Sequence, residues 1–382
     1  MSCIDQWLIV GGRRWARIIA NELCAMLAPN ATIMLLGDPK DIDFLNWWKS
    51  NPHKEQLKIV DQIESCCLPK IGVAIVANSA YLHHSSIETA LDARYNVISE
   101  KPLTLSKLES STLLGKAKKL GLKLFSANTY LFADYLRVFQ KNCLSGKKIS
   151  HLDIQWADPI VETRYGERKR YDSSIPIIYD VLPHVASIVM ATYGEVNIIK
   201  SSIKVSKGGN EVELRIACED LMITISLARD SLSRKRLIRF SGIELDVTLE
   251  FTEEPGVVSF AGQSPVICDL DWTSKRKPIA EMLYCVKNYF EEGIMDDRLC
   301  SDAALLGNEL IDSVANDYVD QQISYLNLEY QPQIQIIHDL NLAYAARESI
   351  SLKKRVIQYL SKDSPLRRLA LEPSQCFEQS IY

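Results

Sequence analysis

The pattern of apolar and polar positions changes its period part-way along the chain. Up to about residue 127, short apolar runs alternate with helical stripes. Trp7-Leu8-Ile9-Val10 reads as a strand; Ile18, Ile19, Leu23 and Leu27 then mark one face of a helix that Pro29-Asn30 stops. Apolar runs at Ala31–Leu36, Ile71–Ala77, Val97–Ser99 and Leu122–Ser126 predict further strands. Helices are predicted from about His84 to Ala93 and from Lys107 to Leu120. Strands alternating with helices predict a parallel, doubly wound sheet. From about Ser150 the period becomes two. Runs at 151–156, 198–205, 211–218, 221–227, 236–240 and 243–249 predict an antiparallel sheet with one face buried and the other wet or covered by a partner. Helical stripes return at Ile279–Glu291, Asp302–Tyr318, Gln333–Glu348 and Leu352–Leu360, and the polar stretch 361–382 reads as a surface tail.

Composition narrows the class. A chain of 382 residues exceeds one ordinary core, so two domains are expected, over 1–127 and 128–382. Hydrophobic residues at 47% and charged residues at 24% describe a globular protein. A net charge of −4 gives no pull toward nucleic acid or anionic membrane, so neither is expected as a partner. The ten cysteines are scattered without a CxxC pair. No signal peptide is read, so they are taken as reduced thiols of a cytoplasmic protein. The most apolar long stretch, Ile175–Tyr193, contains Asp180, His184 and two prolines, which argues against a spanning helix.

Candidate chemistry begins at the first turn. Gly11-Gly12-Arg13-Arg14-Trp15-Ala16 lies between a strand and a helix, and the next strand leads to Gly37-Asp38-Pro39. This is the layout of a dinucleotide-binding βαβ unit, in which the pyrophosphate rests on helix N-terminal amides and an acid takes the ribose hydroxyls. With Ala16 at the third glycine position, Gly11 is first and Arg13 replaces the second, which normally lets the backbone approach the phosphates. Arg13 must point away or place its own charge on the phosphate. Asp38 favours NAD, whereas Arg13 and Arg14 leave NADP open. A tight strand-to-helix turn and an Asp38-Pro39 helix cap are the bland alternatives. Farther on, Val97-Ile98-Ser99 ends in Glu100-Lys101-Pro102. The proline keeps Lys101 out of the α region, so a lysine is presented beyond a strand end, where open α/β sheets bind ligands. The alternative is a surface Glu-Lys pair.

These residues resemble the Gfo/Idh/MocA family of NAD(P)-dependent oxidoreductases. Ala77-Asn78-Ser79-Ala80-Tyr81-Leu82-His83 is similar to the family's segment after its fourth strand, and Ser99-Glu100-Lys101-Pro102-Leu103 to its Glu-Lys-Pro signature. Ala127-Asn128-Thr129-Tyr130 resembles its crossover into the second domain, and Tyr179-Asp180-Val181-Leu182-Pro183-His184 its Asp-x-x-x-His element. The resemblance covers roughly residues 5 to 195. It implies an α/β protein with an N-terminal doubly wound parallel Rossmann domain plus a C-terminal α+β domain with an open-faced, mostly antiparallel sheet. The outer face of that sheet would make a homodimer or homotetramer, which exposed Ile and Val there would support. It also implies that Gly11, Gly12, Arg13, Arg14, Trp15, Ala16, Asp38, Asn78, His83, Glu100, Lys101, Pro102 and Asn128 bind NAD or NADP. Arg13 in the glycine turn, the lack of a glycine run before Asp180 and a longer C-terminal end depart from the family pattern.

Asp180 and His184 are four apart and share a helix face if the helix begins near Asp180, with Pro183 in its first turn. His184 can accept a proton near neutral pH, and the carboxylate would raise its pKa and orient its ring. Lys101, expected from the other domain, would hold a substrate oxygen. Oxidation of an alcohol needs the hydroxyl proton removed as hydride leaves to nicotinamide. Tyr130, Arg164 and Tyr165 are candidate substrate-pocket residues, Tyr130 equally a core residue. Read without the family, Asp180 is an N-cap and His184 a core histidine. His83-His84 lacks the spacing of helix-borne ligands, and no metal is expected.

The leading expectation is hydride transfer between nicotinamide and a small hydroxy or carbonyl compound of sugar, polyol or cyclitol type. The second is an NADPH-dependent imine reductase similar to the thiazolinyl imine reductases of siderophore assembly, acting on a carrier-tethered substrate. Arg13 and Asn128-Thr129-Tyr130 favour it, and the intact Glu-Lys-Pro weighs against it. The third is a non-catalytic Rossmann-fold regulatory protein.

Overall fold

The computed structural model describes residues 4–63, 69–159, 161–164, 167–170 and 175–328. The stripes expected beyond Gln333, the tail and Tyr165 lie outside them.

In chain order the first elements are β1 (Gln6–Val10), α1 (Arg14–Met26), β2 (Ile33–Leu36), α2 (Ile42–Ser50), β3 (Leu57–Ile59), β4 (Gly72–Val76), α3 (His83–Asp92), β5 (Asn96–Ser99), α4 (Lys107–Lys119), β6 (Leu124–Ser126) and α5 (Asp134–Phe139). There follow β7 (Ile149–Pro159), β8 (Val161–Arg164), β9 (Glu167–Arg170), α6 (Ile177–Thr192), β10 (Ile198–Ser206), β11 (Glu211–Cys218), β12 (Met222–Ser231), β13 (Lys235–Gly242), β14 (Leu245–Glu250), β15 (Val257–Phe260), β16 (Val266–Ile267), α7 (Pro278–Glu292) and α8 (Asp302–Leu328).

The chain separates into two compact units. The first comprises Met1–Lys141, Pro183–Gly194 and Asp269–Leu310; the second comprises Asn142–Leu182, Glu195–Cys268 and Ile311–Tyr382. This differs from a single cut after residue 127. The cause lies in the first unit's sheet, whose strands are apolar on both faces and need cover on both. Trp7, Ile9, Val73 and Ile75 pack on one side with Ile19 and Leu23 of α1, and with Met282, Leu283 and Val286 of α7. Leu8, Val10, Ala74 and Val76 face the other side with Ile87, Leu91 and Leu113 of α3 and α4. Late helices thus return to complete an early core.

This sheet is parallel throughout, in the order β3-β2-β1-β4-β5-β6. The order reverses between β1 and β4, and beside such a switch the strands' carboxyl ends form the crevice of a doubly wound fold. Glycines permit the close approaches there. Gly11 has φ +135°, and a Cβ on it would lie 2.7 Å from the Ala77 carbonyl oxygen. The second unit holds a sheet in the order β10-β11-β12-β7-β13-β14-β15-β16, antiparallel except for β7 beside β12. Its buried positions alternate as expected: Leu152, Ile154 and Trp156 on β7, Ile223, Ile225 and Leu227 on β12, Ile238 and Phe240 on β13. The opposite face carries Asp153, Gln155, Thr224, Ser226, Glu213, Arg215 and Arg239. The apolar exposure on this sheet lies at margins instead, at Ile199, Met222, Val266 and Ile267.

Helix α6 begins at Ile177, three residues before Asp180, so Pro183 lies in its second turn and not its first. Pro176 sets the start: its carbonyl accepts from Tyr179 and Asp180. Pro183 withholds an N–H from the Tyr179 carbonyl, the cost of any interior proline. Helix α8 runs to Leu328, well past the expected end at Tyr318.

Candidate functional site

The cofactor end of the first unit is built from the β1–α1 turn. Arg13 is the exposed N-cap of α1 and makes no side-chain cap bond; no acid follows in the first turn. The N-terminus of α1 thus keeps its positive end, which suits a pyrophosphate. The Arg14 guanidinium lies 5.2 Å from the Trp15 ring centroid, and Arg17 donates from Nε to the Gly12 carbonyl at 2.9 Å. Gly12 has Phe44 against it: a Cβ there would meet that ring at 3.0 Å. Ala16, at the third glycine position, is 2% exposed where α1 meets the sheet. Asp38 is exposed and accepts from the Lys40 amide at 2.8 Å, which fixes the turn after β2. It does not cap α2; Asp41 does, accepting from Phe44 N at 3.0 Å.

The other candidates gather at the carboxyl ends of β4, β5 and β6. Asn78 donates to Ser86 Oγ at 2.8 Å, and its Oδ1 has no partner. His83, 1% exposed, places Nδ1 2.7 Å from the Pro102 carbonyl and Nε2 3.3 Å from the Asn78 carbonyl. Burial holds its pKa down at about 4, so the neutral ring donates one N–H and clamps the Lys101–Pro102 corner to the end of β4. His83 thus supports the corner after β5. Glu100 is 8% exposed, and burial pushes its carboxyl up to about 7 against the pull of Lys101. Lys101 itself is half-buried, and its peptide bond to Pro102 is cis. Asn128 is 2% exposed, with neither end of its amide bonded.

His184 joins this edge. Its ring lies edge-on to Tyr130, centroids 5.2 Å apart at 84°. Tyr130, two residues past Asn128, is therefore a neighbour of the candidate base. The compact division puts Pro183–Gly194 in the same unit as Lys101, so the ammonium and the imidazole do not come from separate units. The reason is α8. Gly307 packs on Pro183, where a Cβ would come within 3.1 Å of the proline Cα. Its neighbour Asn308, 1% exposed, donates to the Thr104 carbonyl at 2.8 Å and accepts from Ser110 Oγ at 2.8 Å. One helix turn thus backs both the His184 turn and the loop after Lys101.

Asp180 is 30% exposed at its side chain and pairs with Arg229 of β12 at 3.2 Å. Arg229 is 3% exposed there and also donates to the Ile175 carbonyl at 2.7 Å. A cation thus already stabilises the carboxylate expected to serve His184. Arg229 is a residue the sequence reading missed; its signal is an arginine at an inward position of a strand, in phase with Leu227. The same phase marks Arg236, which stacks on Trp156 at 3.5 Å and pairs with Asp158. Neither Tyr165 nor the side chain of Arg164 is among the described residues. Among those residues no group of three or more His, Cys, Asp or Glu is placed to hold a metal ion.

Residues 44–128 match the Gfo/Idh/MocA family, described as an oxidoreductase family with an NAD-binding Rossmann fold. This segment resembles the Rossmann domain of that family. Curated protein sequences give no match to the chain. Solved structures do, at the level of fold. UDP-N-acetylglucosamine 3-dehydrogenase GnnA from Acidithiobacillus ferrooxidans is 13% identical with a TM-score of 0.65, over 82% of this chain and 97% of that one. Biliverdin reductase from Synechocystis sp. PCC 6803, in complex with biliverdin and NADP+, is 14% identical with a TM-score of 0.61, over 82% and 98%. GenD2 of gentamicin A biosynthesis, bound to NAD, is 12% identical with a TM-score of 0.62, over 84% and 96%. These neighbours share the two-unit fold, and the family that residues 44–128 match is one of NAD-binding oxidoreductases. The Gly11 approach, the unbonded amide of Asn128 and the unbonded Asn78 Oδ1 at the strand ends fit such a cofactor.

Proposed function

We propose that the chain is an NAD(P)-dependent oxidoreductase that transfers hydride between nicotinamide and a small hydroxy or carbonyl compound of sugar, polyol or cyclitol type. The observation that carries this reading is His184 packed on Tyr130, in the unit whose strand end bears Lys101. GnnA, similar in fold, is a UDP-N-acetylglucosamine 3-dehydrogenase. Bound nicotinamide supplies the hydride acceptor. His184 takes the hydroxyl proton at a ring nitrogen, and Lys101 Nζ donates a hydrogen bond to the same substrate oxygen. In the reverse direction the imidazolium returns the proton. Asp180, held by Arg229, keeps a negative charge one helical turn from His184.

Titration of tryptophan fluorescence with NADH and NADPH tests the cofactor. Sugars, polyols, cyclitols and cyclic imines screened with both cofactors test the substrate. Lys101→Ala and His184→Ala should each lower turnover roughly 10²- to 10⁴-fold while leaving cofactor binding intact. Saturable binding of neither cofactor would leave only the regulatory-protein reading. Exposed Arg13 in the glycine turn makes an imine reductase on a carrier-tethered substrate the second reading, which turnover of a cyclic imine alone would select. We further propose a cytoplasmic homo-oligomer. No helix among the described residues is long and apolar enough to cross a membrane. Polar pairing across the outer sheet face would have to join the copies, and sedimentation in low and high salt tests it.

A further inference from the structure

The turn that brings Tyr130 to the His184 ring is short. It covers Thr129–Phe132, with Leu131 donating to the Asn128 carbonyl at 2.9 Å and Ala133 to the Tyr130 carbonyl at 3.2 Å. A single 3₁₀ turn has poor hydrogen-bond geometry and depends on what packs around it. On one side Tyr130 meets the imidazole edge-on, centroids 5.2 Å apart. Phe132, 1% exposed, packs instead in the core with Met282, Leu283 and Val286 of α7. There the guanidinium of Arg298 lies 4.7 Å from its ring centroid. Asp134, the first residue of α5, pairs with the same guanidinium at 3.5 Å.

Arg298 is itself fixed from several directions, and its side chain is 9% exposed. Nε and Nη2 grip the two oxygens of Asp296 at 2.9 and 2.7 Å, and Nη2 also reaches Glu281 of α7 at 3.0 Å. Asp296 in turn accepts from the Cys285 thiol at 3.2 Å. A bidentate fork sets the orientation of a guanidinium as well as its place. Nη1 is left for Asp134. All these residues, and His184, belong to the first unit. A buried ion pair is weak evidence for stability, but a fork combined with a cation over a ring face constrains direction. We propose that Arg298 is a positioning residue. Through Phe132 and Asp134 it sets the turn that holds Tyr130 on His184, and so fixes the orientation of the imidazole. This rests on the reading of His184 as the base and adds the group that aims it. Arg298 acts through the turn and not at the reacting atoms.

The test uses the full chain and reads geometry first, turnover second. Labelling histidine with 13C gives the ring C–H resonances of His184 by NMR, assigned by their loss in His184→Ala. Tyr130→Leu removes the neighbouring ring current and should move them, and that displacement is the scale. Arg298→Lys keeps a cation but not the fork, and Phe132→Leu keeps an apolar side chain but not the ring face. Each should move the His184 resonances by a large part of that displacement. With the compound found in the substrate screen, each should lower kcat roughly tenfold and leave KM within about twofold. A purely structural role would lower Tm and leave the resonances at their wild-type positions, and that result overturns the proposal. So does a Tyr130→Leu variant in which they do not move. If Arg298→Lys does not fold, Phe132→Leu decides. Full turnover by His184→Ala would instead remove the reading of His184 as the base, while the resonances still report whether Arg298 holds the ring.

Discussion

Glu100→Gln is the most quantitative perturbation the site offers. The carboxyl is buried, and its pKa rises from the ordinary 4.5 to about 7, chiefly because burial disfavours the charged form. At about 1.4 kcal/mol per pKa unit, ionised Glu100 costs the fold roughly 3 kcal/mol. A raised pKa means that the stability is fully present below 4.5 and is lost as pH rises through 7. His83 has the opposite sign. Its pKa is lowered from 6.5 to about 4, so its contribution is present above 6.5 and lost as pH falls toward 4. Between about 4.5 and 6.5 the two slopes oppose each other in wild type. Glutamine fills the same space without ionising, so it removes one slope and leaves the other. Relative to wild type, the variant should gain roughly 1 kcal/mol at pH 5 and roughly 3 kcal/mol at pH 8. For a unit of this size each kcal/mol moves Tm by about 2–4 °C. The difference in Tm, measured without cofactor by differential scanning calorimetry, should therefore widen by roughly 4–8 °C from pH 5 to pH 8. Groups that titrate in both proteins cancel in that difference. A gap that stays constant, or narrows toward pH 8, would show that Glu100 ionises without penalty and would refute the reasoning.

Three further outcomes follow from the geometry. Gly11→Ala forces a Cβ to 2.7 Å from the Ala77 oxygen at a φ that alanine avoids, so NAD(P)H affinity should fall by more than tenfold together with Tm; unchanged binding would show that the turn relaxes freely. Arg236→Met leaves Asp158 buried without its cation and should cost about 3–5 kcal/mol, read by urea unfolding followed in the second unit through Trp156; Arg236→Met with Asp158→Leu should recover much of the loss. Asn308→Ala removes the donor to the Thr104 carbonyl and should cost about 1–3 kcal/mol, with faster amide exchange over residues 101–106; protection there equal to wild type would detach Asn308 from the Lys101 loop.

How much of this was legible in the chain depends on whether the cause was local. Strand ends and turns were readable, because a proline, a glycine or a run of β-branched residues acts over a few positions. Val97 to Ser99 ending at Lys101-Pro102, and Gly11 between β1 and α1, are of this kind. An acid such as Asp180 suggests a helix start by local preference, but α6 starts three residues earlier because Pro176 fixes it. The phase of β12 was visible, but that an inward Arg229 would meet Asp180 was not, since the partner is set by which element packs on that face.

The order of elements, the change of period near residue 150 and the chemical identity of Lys101, Asn128, Asp180 and His184 are local properties, readable along the chain. Tertiary structure decided the company these residues keep. A parallel sheet apolar on both faces must recruit cover from wherever the chain can return, and here it recruits α7 and the first turns of α8. That return carries Gly307 onto Pro183 and Asn308 onto Thr104, and so places His184 in the unit of Lys101. No local pattern encodes such a meeting, because it arises from burial summed over segments some two hundred residues apart.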